Sequence, residues 1–151
     1  MERQIVLIDA RPRPLAAVRV TTLLSRWPNQ FKTALDKVYD AVSAGRVRQT
    51  GRNVMVYRQR PDSQVDIECG VEIDTKFEET GEVVYCETPT GRALTTPHVG
   101  PYGRLGASHQ AIVEWSRSNG YTLAGVCWEI YGDWEADHLK LRTDIFHLLG
   151  S

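Results

Sequence analysis

The chain repeats itself, and that repeat limits its fold more than any single motif. Residues 83–100 (VVYCETPTGRALTTPHVG) lie against residues 5–22 (IVLIDARPRPLAAVRVTT) at an offset of 78. Each copy reads as a β-rich run, a break containing proline, and a second β-rich run. A helical pattern follows in both. Leu24, Trp27, Phe31, Leu35, Val38 and Val42 recur at helical spacing over 24–44, with Ser25 as a cap and Ala44-Gly45 as the stop. Leu105, Ile112 and Trp115 share one side of a helix over 105–119, ended by Asn119-Gly120. Strands then match at an offset of 74: Val56-Tyr57 against Ile130-Tyr131, and Val65-Asp66-Ile67 against Leu139-Lys140-Leu141. Agreement of order and offset predicts a duplicated unit, with copies over about 3–74 and 82–149 of a single domain spanning 1–151. Neither copy buries its sheet alone. The predicted fold class is therefore α+β, duplicated β-β-α-β-β modules forming one antiparallel sheet with two helices on one face. The seam between the copies is where a ligand cleft is expected.

Composition removes several function classes. A chain of 151 residues, 42% hydrophobic and 25% charged, suits one globular domain with a buried core. A formal net charge of -1 gives no electrostatic footprint for nucleic acid, so no direct nucleic-acid contact is expected. Arg46, Arg48 and Arg52 make only a short basic loop, and Asp74 to Gly81 a polar, acidic linker. Cys69, Cys86 and Cys127 are odd in number and sit in strand-like runs, as residues of a reducing compartment. The four histidines and three cysteines show no zinc-ligand spacing, so neither metal nor cofactor is expected. Asp133, Glu135 and Asp137 around Trp134 read as a solvated turn, not a calcium loop. Nothing resembles a signal peptide or a membrane span, which makes the cytoplasm the default location and a membrane partner unexpected.

Chemistry concentrates in residues 95–131. A strand ending at Pro97-His98 meets a Gly100-Pro101-Tyr102 corner that opens the second helix. The strand after that helix, Val126 to Tyr131, carries one acid, Glu129, among apolar and aromatic residues. Alternation puts Cys127, Glu129 and Tyr131 on one face and Val126, Trp128 and Ile130 on the other. A carboxylate in a half-buried strand needs a partner, because an unpaired buried charge is costly. Two readings compete: a ligand-facing acid, or a structural pair with Arg142 on a neighbouring strand. Gly100 to Gly106 lacks the spacing of a phosphate cradle, and no Gly-x-Ser-x-Gly nucleophile motif occurs.

His98-Val99-Gly100-Pro101-Tyr102, Leu105, Trp115, Gly120, Glu129-Ile130-Tyr131-Gly132-Asp133 and Thr143-Asp144-Ile145 together resemble the GyrI-like domain family. That family supplies the effector-binding domain of multidrug-sensing and AraC-type bacterial transcription activators, and it also occurs alone. The motifs cover the C-terminal third, and the repeat extends the resemblance over nearly the whole chain. The corner after the second strand of the first copy departs from the pattern, being Thr21-Thr22-Leu23.

The resemblance implies a small-molecule pocket in which Glu129 meets lipophilic, cationic ligands, with Tyr131 on the same face. Rings would supply apolar area and cation–π attraction, and the acid charge complementarity. Tyr57, Tyr102, Trp27 and Phe146 complete the candidate ligand-binding set; Trp27 also reads as core and Tyr102 as a corner anchor. Two further implications follow. Some members resemble hydrolases, so Glu129, Tyr131 and His98 become catalytic candidates toward reactive electrophiles, since a carboxylate in an apolar pocket gains basicity. Gyrase-inhibiting members imply a protein-interaction module, with a protein partner the sequence does not name. No helix-turn-helix precedes the first strand, so DNA binding would require a separate partner.

Overall fold

The computed structural model describes residues 4–79 and 81–150. Residue 3, where the first copy is expected to begin, and Thr80 of the acidic linker lie outside the described residues. Elements follow the order the repeat implies: β1 (Val6–Ala10), β2 (Pro14–Thr22), α1 (Phe31–Ser43), β3 (Gln49–Gln59) and β4 (Val65–Ile73). The second series is β5 (Val83–Glu87), β6 (Gly91–Val99), α2 (Leu105–Ser118), β7 (Leu123–Tyr131) and β8 (Arg142–Leu149). The fold is α+β, and its described strand registers are antiparallel. No helix among the described residues is long and apolar enough to cross a membrane.

Two compact units divide the chain, and they are not the two sequence copies. One joins the residues up to Arg11 to those from Pro89 onward; the other is Pro12–Thr88. Each unit takes its outer strand from the opposite copy. In the first, β1 pairs with β6 (Asp9↔Arg92); in the second, β5 pairs with β2 (Pro14↔Glu87). The offset of 78 turns one of these pairs into the other. Sequence alone hides the exchange, because a strand's hydrophobic pattern says which face is buried and not which neighbour it joins.

Register also corrects one offset. Leu15↔Glu72 in β2–β4 corresponds to Ala93↔Leu148 in β6–β8, which places β8 at 76 and not 74. Leu139 and Lys140 form part of a 3₁₀ turn, His138–Lys140, and Leu139 is 72% exposed. Equivalent positions of β7 and β8 are thus two residues further apart in sequence than those of β3 and β4 (76 − 74 = 2). A slip of two leaves every side chain on its own face, so periodicity could not reveal it. The offset of 74 does hold for β3 and β7. Both carry a register shift at equivalent places, Gln49/Asn53 and Leu123/Cys127, with Gly51 and Gly125 inside them.

The helices repeat in detail as well. Gly45 and Gly120 both have φ of +77°, and each donates to the carbonyl three residues back (Val42, Arg117). Arg46 and Tyr121, the next residues, donate to Ala41 and Ser116, closing the same C-terminal motif. Starts are less regular. Leu24–Asn29 form a 3₁₀ turn, and α1 begins only at Phe31, without a side-chain cap from Ser25 or any other residue. That turn breaks the 3.6-residue phase. Leu24 and Phe31 are consequently exposed, and the buried face of α1 is Ala34, Val38 and Ala41. The basic loop is shortened in turn, since β3 starts at Gln49.

In the first unit, α2 packs across β6 and β8 around Leu94, Ile112 and Ile145, all fully buried. This packing defines a helix-facing side of the sheet. The same side carries the acid of β7.

Candidate functional site

His98 fixes the corner that leads into α2. Its Nδ1 lies 2.7 Å from the Ser108 hydroxyl and its Nε2 3.0 Å from the Pro101 carbonyl. A carbonyl only accepts, so in the neutral ring Nε2 donates to Pro101 and Nδ1 accepts from Ser108. Gly100 takes a φ of +135° here and donates its N–H to the Leu141 carbonyl at 2.8 Å. The chain thereby passes from β6 into the turn Tyr102–Arg104 and on into α2. Both ring nitrogens of His98 serve this corner.

Glu129 sits on β7 opposite Ile145, flanked by the Cys127↔His147 and Tyr131↔Thr143 pairs. It is 4% exposed. The Tyr131 hydroxyl donates to Oε1 at 2.6 Å, and His109, from α2, donates its Nε2–H to Oε2 at 2.7 Å. Acceptance at both oxygens is what an ionised carboxylate offers. Arg142, the alternative partner, pairs with Asp144 at 3.0 Å. On its other side, His109 Nδ1 lies 2.8 Å from His147 Nε2, within hydrogen-bond distance. Burial, and secondarily the neighbouring His109, pushes the His147 pKa down to about 4. His147 is therefore neutral near pH 7. Burial, with a smaller push from the Glu129 charge, raises the Cys127 thiol to about 12, which makes it a poor free nucleophile. The Tyr102 ring meets Tyr131 edge-on, with centroids 5.7 Å apart and an interplanar angle of 84°. Tyr102 is 40% exposed and forms the open wall of the group.

The other candidates lie elsewhere. Phe146 stacks on Trp128 at 5.1 Å and 10°, and the register places both on the sheet face away from Glu129. Tyr57 and Trp27 belong to the second unit. There the Tyr57 hydroxyl donates to the Met55 sulfur at 3.4 Å, repeating the Tyr131–Glu129 contact with a thioether where the acid stands. Trp27 is buried, its ring 6.4 Å from that of Phe31. The duplication thus supplied two similar tyrosine positions, and only one copy carries the acid.

Two features are not fixed by sequence reasoning. The first is the histidine pair: His98 and His109 are both acid–base candidates for Glu129 with nothing in the sequence to set their distances, and it is His109, from α2, that meets Glu129, while His147, from β8, meets His109. The second is Glu68, another buried acid, which alternation alone places on the polar side of β4. Burial would raise its pKa, but Arg58 and Arg19, the latter at 3.1 Å, hold it below the usual range. Two partly exposed arginines thus pair with the buried Glu68 carboxylate. These residues line a groove of about 490 Å³ with Val20, Thr21, Asp66 and Ile67.

A family model described as the GyrI-like small molecule binding domain matches residues 4–147. The chain belongs to this family. Solved structures agree on the GyrI-like fold. The EcmrR C-terminal domain superposes with a TM-score of 0.78 at 17% identity, covering 100% of this chain and 99% of that one. SAV2435 bound to tetraphenylphosphonium gives 0.68 at 10% identity, with coverage of 100% and 95%. A hydrolase from Listeria innocua gives 0.59 at 12% identity, with coverage of 99% and 93%. No curated protein matches the sequence. At these identities the structural likeness concerns the fold. Within this GyrI-like domain, the chemistry described above rests on the chain's own residues.

Proposed function

We propose that this GyrI-like domain captures lipophilic organic cations at Glu129, with Tyr131 and Tyr102 supplying aromatic surface. One observation carries the reading: a carboxylate 4% exposed, oriented by a phenol and an imidazole, beside an edge-to-face tyrosine pair. An onium ion has no N–H or O–H to donate, so it need not displace either hydrogen bond. It responds instead to the fixed negative charge and to the ring faces, at a strength that grows as water is excluded. SAV2435, which shares the fold, is a protein solved with such a cation.

The test is calorimetric titration with tetraphenylphosphonium, and with an aryl quaternary ammonium against its neutral tert-butyl isostere. Binding of the cations in the micromolar range, about 8 kcal/mol, is expected, with the isostere clearly weaker. Equal affinity within the matched pair would contradict a charge-based site.

A second reading comes from the same geometry. Glu129 lies between a phenolic donor at 2.6 Å and an imidazole at 2.7 Å, an acid–base set within direct hydrogen-bond reach of one another. Such a set suits opening of a strained or activated electrophile, whereas cleaving an ordinary amide demands a stronger nucleophile and an oxyanion hole. Incubation with epoxides, activated cyclopropanes and activated esters, followed by mass spectrometry, checks it. Turnover lost in Glu129→Gln would establish catalysis; product formation equal to that variant's would leave capture alone.

A further inference from the structure

We propose that His109, Cys127 and His147 form a zinc-binding site in this domain. One ligand atom from each, an imidazole nitrogen from either histidine and the Cys127 sulfur, lies within 4.8 Å of the others. The three come from α2, β7 and β8, and Cys127 and His147 are direct cross-strand partners. Their separation in sequence, 18 and then 20 residues, is why no ligand spacing is legible.

The surroundings are those of a metal site. With Nε2–H given to Glu129, the lone pair of a neutral His109 ring is at Nδ1, which is aimed at His147. A carboxylate behind a ligating histidine fixes its tautomer and raises its basicity, and Glu129 is itself held by Tyr131. Tetrahedral zinc at about 2.0–2.1 Å from nitrogen and about 2.3 Å from sulfur needs donors roughly 3.3–3.6 Å apart. The histidine nitrogens, now 2.8 Å apart, must open by about half an ångström, and the sulfur must close in by a side-chain rotation. Proton balance is simple. Zinc replaces the hydrogen bond between the histidines, the His147 proton moves to Nδ1, and the Cys127 thiol proton leaves to water. Two imidazoles and a thiolate suit zinc and exclude magnesium and calcium, which take oxygen ligands. Three protein donors leave a fourth position for water or a ligand atom. The inference goes beyond organic-cation capture and is tested with the metal alone.

Cobalt(II) titrated into the reduced, full chain should give a thiolate-to-cobalt absorption band that saturates at one equivalent and is erased by zinc. Cys127→Ser should abolish the band, and Glu129→Gln should keep it while weakening metal binding about 10–100-fold. X-ray absorption of the zinc-loaded wild-type chain needs no variant. It should show one sulfur at about 2.3 Å with nitrogen at about 2.0–2.1 Å. No saturable band, a band unchanged in Cys127→Ser, or a zinc shell without sulfur would overturn the site.

Discussion

Gly70→Ala is expected to destabilise the fold by at least about 3 kcal/mol, at the upper end of what a single added methyl does. Gly70 lies in β4 between Ala17 of β2 and Val54 of β3. A Cβ there would stand 2.0 Å from the Ala16 carbonyl oxygen and 2.7 Å from both Ala17 Cα and Cβ. Two of those atoms are backbone, so no rotamer change relieves the clash. Only a shift of β2 would do so, and β2 is held on its other edge by β5. Urea denaturation of the variant beside wild type measures the loss. A change under about 1 kcal/mol would mean that the strands separate far more easily than a close-packed interior allows.

Ile112→Ala should cost about 3–4 kcal/mol, for the opposite reason. Ile112 is fully buried where α2 meets the sheet, in contact with Leu94 and Ile145. Truncation removes three methyl or methylene groups and leaves a cavity whose walls are anchored in two strands and a helix. Loss of transfer free energy and loss of packing then add. Leu139→Ala is the matched control. That side chain is 72% exposed, and its removal should change stability by no more than about 0.5 kcal/mol. Comparable losses in the two variants would displace the core from where α2 places it. The Ile112 loss bears on the site too, since the same helix carries His109 to Glu129.

Most of the element order is legible in the sequence because each signal is local. Alternation from Val65 to Ile73 marks β4 to the residue, and Gly120 marks the end of α2 because its left-handed φ suits glycine. What is not legible is non-local. The exchange of β1 and β5 between units depends on pairing partners, which no hydrophobic pattern encodes. In the site, the face shared by Cys127, Glu129 and Tyr131 follows from a period of two, and the conspicuous acid draws attention on grounds of charge. Its histidine does not follow. His98 and His109 both stand as candidates in the sequence, and His98, beside the recognisable Gly-Pro-Tyr corner, is the more conspicuous, yet both its nitrogens are used by Ser108 and Pro101. His109 reaches Glu129 because α2 crosses the sheet there, a tertiary fact. Phe146 fails to join Glu129 for a simpler reason: β8 pairs Ile145 with Glu129, so parity turns Phe146 toward Trp128.

Charge at Glu129 is the decisive variable for capture. Glu129→Gln keeps the size of the side chain and removes the negative charge, so calorimetry of both proteins against the cationic and neutral isosteres isolates that charge. The carboxylate should favour the cation by roughly 1–3 kcal/mol, a loss of about 5–150-fold on substitution, while the neutral isostere binds both proteins alike. Equal losses for the two ligands, or none for either, would contradict an acid that recognises cations and would leave Glu129 as part of the structural hydrogen-bond network of Tyr131 and His109.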